Sequence, residues 1–223
     1  MILVIPAVLS PEELGRVRAG LASARFSDGR ESAGALAREQ KHVLQLDRAG
    51  DSQRETGELV ARALLRHPRV QAAALPKAVR HPTINRYEPG MYYGPHLDAP
   101  ILRGAAPLRA DVSVTVFLSE SSDYTGGELV VERTPTPVAI KAAAGDAVLY
   151  PSGSIHQVKP VESGVRLVAV TWLQSLVRDP EQRRQLFELS ETIALFEAQG
   201  ANGDALLRLR ATHDNLTRMW AEV

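Results

Sequence analysis

Three rhythms of hydrophobic and polar positions follow one another along the chain. Ser10-Pro11-Glu12-Glu13 supplies an N-cap hydroxyl, a first-turn proline and a capping-box glutamate ahead of Leu14, Val17 and Leu21. That spacing predicts a helix to about residue 24. FSDGRESAG is turn-rich and is expected at the surface. Leu59, Ala63 and Leu64 share one face of a second predicted helix over 53–67, ended by Pro68, and a short apolar piece follows at VQAAALP.

From about residue 82 the period changes from helical to two. TINRYEPG, YYGPHLD, DVSVTVFLS, GGELVVE, PVAIKA, GDAVLYP, IHQVKPV and VRLVAVTWLQS are short β-branched runs separated by Gly and Pro. Eight such runs at close intervals predict an all-β sandwich or barrel rather than a parallel βαβ sheet. Val112, Val114, Val116 and Leu118 alternate with Asp111, Ser113, Thr115 and Phe117, the pattern of a half-buried strand. VRLVAVTWL is apolar on both faces and is expected between a second layer and a covering helix.

Helical spacing returns after residue 178. Asp179-Pro180 restarts it, Leu186, Leu189, Ile193 and Phe196 recur on one face, QGANGD turns the chain, and Leu206, Leu209, His213, Leu216 and Trp220 line a last helix. The predicted fold class is therefore mainly β with flanking helices. It comprises an N-terminal helical support region over 1–77, a β domain over 78–176 and a C-terminal helical hairpin over 177–223. Apolar content on both hairpin helices suits packing on the β core or a homo-oligomer.

Composition narrows the chemistry. The 223 residues carry 26 basic and 26 acidic side chains, so the whole chain has no basic footprint for nucleic acid. Cysteine is absent, which excludes disulfides, thiolate metal sites and a cysteine nucleophile. The apolar start MILVIPAVLSPEELGRV has no basic n-region, and no run of 18 apolar residues occurs elsewhere. A cytoplasmic protein that does not enter membranes is the expectation.

In YYGPHLDAP, His96 and Asp98 stand two apart, on one side of an extended strand. They suit either a metal site or a strand end at which Asp98 satisfies loop amides. His156 follows in a second strand, and Arg166 comes ten residues later, at the head of the most apolar strand. Two histidines and a carboxylate form the facial triad of non-haem iron oxygenases, leaving positions open for co-substrate and dioxygen. A guanidinium entering an apolar strand needs an anion, supplied by an internal carboxylate or by a ligand gripped through its planar fork. Tyr87, nine residues before His96, suits a buried hydroxyl bonded to a carbonyl. By strand parity Tyr93 faces away from His96 into the core; Trp172, an even step from Arg166, suits the cavity wall, with the core favoured. Gly126-Gly127 reads as a tight turn or bulge. The segment 99–111 reads as a lid, with Arg103 and Arg109 gripping an acidic substrate, or as a solvated loop. His42 reads as surface, His67 and His81 as element ends before prolines, and His213 as a packed or interface residue.

NRYEPGMYYGPHLDAPI, LRADVSVTVFLSE, YTGGELVVE, GDAVLYPSGSIHQVKPVESGVRLVAVTWLQS and the tail beginning VRDPEQRRQLFEL together resemble one family. It is that of the Fe(II)/2-oxoglutarate-dependent dioxygenases of prolyl 4-hydroxylase type, and within them the bacterial PKHD-type hydroxylases. The resemblance runs from about residue 80 to the end, with no departure at the triad or the arginine. It implies a double-stranded β-helix, or jelly roll, with Fe(II) on His96, Asp98 and His156. It implies the C5 carboxylate of 2-oxoglutarate on Arg166, with Tyr87 nearby and L-ascorbate keeping the iron reduced. The reaction implied is hydroxylation of a small-molecule or peptidyl substrate with release of succinate and CO2, linked to iron homeostasis. A cupin-like zinc enzyme and a non-catalytic ligand-binding jelly roll are the alternatives, and neither requires Arg166.

Overall fold

The computed structural model describes residues 1–32, 38–47, 50–104, 106–200 and 203–223. Strands and helices are numbered in chain order. Helix α1 (Pro11–Leu21) starts where the capping box predicts: Ser10 Oγ accepts from the Glu13 amide, and the Glu13 carboxylate accepts from the Ser10 amide. Its buried face is Leu14, Val17 and Leu21. Helix α2 (Asp51–Arg66) buries Leu59, Val60, Ala63 and Leu64. Pro68 ends that helix and opens α3 (Pro68–Ala74), which converts the apolar piece into a short third helix. Each fully buried Leu or Val on these faces contributes about 1.5–3 kcal/mol over leaving it exposed.

The helices cover one face of the larger of two antiparallel sheets. Its order is β1 (Leu3–Ile5), β14 (Ala147–Pro151), β10 (Val112–Phe117), β17 (Arg166–Ser175), β6 (Thr83–Tyr87), β4 (Leu44–Leu46) and β2 (Phe26–Asp28). Strand β5 (Pro76–Val79) pairs the far half of β17. The facing sheet runs β13 (Val138–Ile140), β12 (Leu129–Val131), β15 (His156–Val158), β7 (Tyr92–His96) and β3 (Lys41–His42). Two further pairs join β11 (Tyr124–Gly126) to β16 (Val161–Gly164) and β8 (Ile101–Leu102) to β9 (Leu108–Arg109). The result is mainly β, a jelly-roll core with helical flanks. All eight strands predicted from residue 82 onward are present.

Two apolar layers hold it together. Val112, Val114, Val116, Ala169 and Leu173 pack outward on the helices, while Tyr87, Phe117, Tyr150 and Val168 face Leu129, Val131 and Val158 of the smaller sheet. Strand β10 is thus buried along its whole length, not half-buried. Its face bearing Ser113, Thr115 and Phe117 looks into the space between the sheets, where small polar side chains border a cavity rather than bulk water. Strand β17 is sandwiched as its two-faced apolarity predicts.

The N-terminal 77 residues are more than a helical support. They carry β1, β2 and β4 of the large sheet and β3 of the small one, and a boundary at 77 cuts through β5. These strands are two or three residues long and sit among helical and turn-rich stretches, so no β-branched run bounded by Gly and Pro marks them. Part of FSDGRESAG (residues 33 and 34) and Ala201-Asn202 of the QGANGD turn lie outside the described residues. The C-terminal hairpin is α4 (Pro180–Ala198), capped by Asp179, and α5 (Gly203–Trp220).

Candidate metal centre and co-substrate pocket

The triad is assembled by pairing β7 with β15, which sets His96 directly opposite His156. Their ring centroids are 4.2 Å apart. Asp98, two residues beyond His96, brings Oδ2 to 3.7 Å from His156 Nε2. One potential ligand atom from each of the three lies within 4.8 Å of the others, the reach of a single cation. Both rings are oriented the same way. His96 Nδ1 lies 2.8 Å from the Gly94 carbonyl and His156 Nδ1 lies 3.0 Å from the Ser154 carbonyl. A carbonyl only accepts, so each proton sits on Nδ1 and each Nε2 keeps a bare lone pair for a metal. Burial, then the neighbouring His156, pushes the His96 pKa down to about 4, against the pull of the Gly94 carbonyl and Asp98. Asp98 is steadied by Ser113 Oγ, which donates to it at 2.5 Å and lies 2.8 Å from Ser152 Oγ.

Tyr93 is not on the far side of the strand. Its ring stacks on His96 with centroids 3.5 Å apart. The pairs His96–His156 and Tyr93–Val158 advance three residues on β7 for two on β15. This bulge at Gly94-Pro95 breaks parity and turns both rings to one face. Gly and Pro inside the strand were the available signal.

Arg166 lies deeper in the same cavity, 1 % exposed. Among the described residues none of its three guanidinium nitrogens has a well-formed hydrogen bond, with the Tyr124 hydroxyl a polar neighbour. The charge is flanked by rings, with Cζ 5.0 Å from the Tyr87 centroid and 5.6 Å from that of Phe117. Tyr87 pairs with Arg166 across β6 and β17 and lines the cavity. Burial raises the Tyr87 pKa, opposed by the arginine, so its hydroxyl stays a donor. Gly127, at φ +67, leaves the room the arginine needs: a Cβ there would fall 3.0 Å from Arg166 Cδ. The Gly126-Gly127 step is the bulge expected, with the register shifting between Thr125 and Gly126. A buried cation with empty donors on one side fits a ligand carboxylate.

The cavity measures about 1280 Å³ and holds the triad, Arg166, Tyr87 and Tyr150 in its wall. Segment 99–111 carries the paired strands β8 and β9 and lends the cavity Leu102, Arg103 and Pro107. Arg103 therefore faces the cavity. Arg109 does not: it donates to Asp111 at 2.7 Å, to Glu222 at 3.2 Å and to the Ser175 carbonyl at 3.3 Å. Asp111 stands two residues away in the same segment, but Glu222 and Ser175 are remote in sequence, so the misplacement was not readable from the loop. Trp172 lines the cavity rather than the core. Ser113, Ser152, Tyr150 and Arg80 were not singled out from sequence, and only the polar face of β10 hinted at the first. The bland histidines stay outside the triad: His42 is exposed and stacks on Tyr92, while His213 is half-buried on α5.

A jelly roll that turns a His-Asp-His cluster and a buried arginine into one cavity defines the 2OG-Fe(II) oxygenase class, and residues 82–174 match the model of the 2OG-Fe(II) oxygenase superfamily. Residues 181–222 match the PKHD-type hydroxylase C-terminal domain. A PKHD-type hydroxylase of Hyphomonas neptunium is 45% identical over 225 residues, and one of Stenotrophomonas maltophilia R551-3 is 42% identical over 225, each covering 100% of both chains. The chain belongs to the PKHD-type hydroxylase family. In fold it is similar to a Trichoplax adhaerens prolyl hydroxylase solved with a hypoxia inducible factor peptide fragment. That likeness has TM-score 0.57 and 20% identity, over 83% of this chain and 86% of that one. It is also similar to HygX of Streptomyces hygroscopicus with nickel and 2-oxoglutarate bound, with TM-score 0.52 and 15% identity over 79% and 84% of the two chains.

Proposed function

We propose that the protein hydroxylates a C–H bond of a small-molecule or peptidyl substrate, consuming O2 and 2-oxoglutarate and releasing succinate and CO2. One oxygen atom enters the new hydroxyl and the other the new carboxylate of succinate. Iron, when bound, supplies the activation of dioxygen. The chain's own residues do the rest. His96, Asp98 and His156 hold the metal through two bare Nε2 atoms and a carboxylate fixed by Ser113. Arg166 fixes one end of the co-substrate, with the Tyr87 hydroxyl as a second contact.

The observation that carries this reading is the unpartnered guanidinium of Arg166 in the wall that also bears the triad. A zinc enzyme or a passive binding module on the same roll leaves that charge without an anion. Purified protein with Fe(II), 2-oxoglutarate and air is expected to release succinate, and Arg166→Ala and His156→Ala to release none. Turnover equal to the unaltered protein in either variant would refute the proposal. A cytoplasmic setting, ascorbate as iron reductant and a link to iron homeostasis belong to the same proposal, supported by the family resemblance and by the His-Asp-His cluster that would hold the iron. Among the described residues no helix is long and apolar enough to cross a membrane. The homo-oligomer belongs here too, supported by α5, which buries no residue fully and leaves Leu207 64% and Met219 74% exposed.

A further inference from the structure

We propose that Arg80 and Arg103 form a two-cation grip at the outer end of the cavity, which selects an anionic small molecule, a carboxylate or a phosphate, as the substrate. This rests on the oxygenase reading above and names the substrate class for it. The charges lining the cavity are largely assigned. Asp98 belongs to the triad and Arg166 to the co-substrate end, Arg54 is taken by Asp51 at 2.9 Å, and Lys41 lies 5.5 Å from the Tyr93 ring centroid beside the metal centre. Arg80 and Arg103 remain, and neither has an ion pair with a carboxylate among the described residues.

Two observations place them together. Arg80 is anchored by its backbone on β17: its amide donates to the Trp172 carbonyl at 2.9 Å, and its carbonyl accepts from Thr171 Oγ1. Its guanidinium then reaches the hairpin residue next to Arg103, where a Cβ on Gly104 would fall 2.7 Å from Arg80 Nη1. The indole Nε1–H of Trp172, buried and without a partner among the described residues, lines the same cavity. Two guanidinium forks and a neutral N–H with no carboxylate to answer them are the donor set of an anion site. Ends of the cavity are thereby divided by charge use: Arg166 takes the co-substrate's acid, Arg80 and Arg103 that of the substrate.

Calorimetry on the anaerobic protein saturated with Fe(II) and 2-oxoglutarate tests this with phenyl phosphate, benzoate and their neutral match, phenol. At low salt one of the two anions is expected to bind about tenfold or more tighter than phenol, since guanidinium pairs favour planar acids and phosphates. Whichever binds tighter identifies the acid. Arg80→Gln and Arg103→Gln should each weaken it, and the double variant should bring it to the level of phenol. Both side chains reach solvent, and a thermal melt verifies that each variant is folded. Phenol binding as tightly as both anions, or an unchanged anion affinity in the double variant, overturns the proposal. The visible metal-to-ligand charge-transfer band of the same unaltered sample reports the oxygenase reading separately. Anion selectivity without the band upholds the grip and sinks that reading, and the band without selectivity does the reverse.

Discussion

Arg166 sits in the interior with Tyr87 and Phe117 rings beside it and, among the described residues, no ion pair with a carboxylate. Such a charge stabilises nothing until an anion arrives, because desolvation of an uncompensated guanidinium costs several kcal/mol. Arg166→Met is therefore expected to raise the stability of the metal-free protein, by on the order of 1–4 kcal/mol, while abolishing the affinity for 2-oxoglutarate. Chemical denaturation without ligand measures the first and calorimetry the second. A variant less stable than the parent would show that the ring contacts outweigh the desolvation. His96, Asp98, His156 and Arg166 were all legible in the sequence, because each carries chemistry its apolar neighbours cannot answer. Tyr93 was legible only as a strand residue. Its side depends on one inserted position at Gly94-Pro95, which period-two counting cannot see.

At the scale of elements, helix α1 shows local rules at work. Glu13 closes the capping box on Ser10 and also pairs with Arg66 at the end of α2, joining the two helices. The Arg66 hydrogen bond, then the Ser10 amide, holds the Glu13 pKa down to about 2, from an ordinary 4.5. A carboxylate with a depressed folded pKa contributes stability that is present in full above the unfolded value and is lost as pH falls through the folded one. The unfolding midpoint of the parent should thus fall from about pH 4.5 toward about pH 2 more steeply than that of Glu13→Gln, which lacks the titrating group. Parallel curves would show that the pair adds nothing. The capping box was read from four letters, its partner Arg66 was not. The strands after residue 82 were found as β-branched runs bounded by Gly and Pro. The two- and three-residue strands β1 to β4 were not, since their existence is decided by the neighbour they pair with.

For the whole molecule, the C-terminus acts as a latch. Glu222 accepts from Arg109 at 3.2 Å, its amide donates to the Leu176 carbonyl at 2.7 Å, and its own carbonyl accepts from Lys77 at 3.2 Å. Asp111 meanwhile binds Arg109 and accepts from the Ser175 amide at 2.8 Å. The base of the β8–β9 hairpin, which carries Arg103 over the cavity, is in this way tied to the end of the helical hairpin. Glu222→Ala should speed amide exchange in 101–109, as read by hydrogen–deuterium exchange, and shift global stability by less than about 1 kcal/mol, because the pair is partly solvated. Unchanged exchange in that segment would remove the latch.

By itself the sequence determined the order of the main helices and strands, a mainly β class with helical flanks and four candidate site side chains. Those follow from periodicity, caps and unanswerable polar groups, which are properties of neighbouring residues. Only the tertiary structure decided that the polar face of β10 borders a cavity, that Tyr93 stacks on His96, that Arg109 turns to the C-terminus and that Arg80 comes under the hairpin beside Arg103. Each of these depends on which distant segment lies opposite, and a pattern of period two or 3.6 carries no information about that.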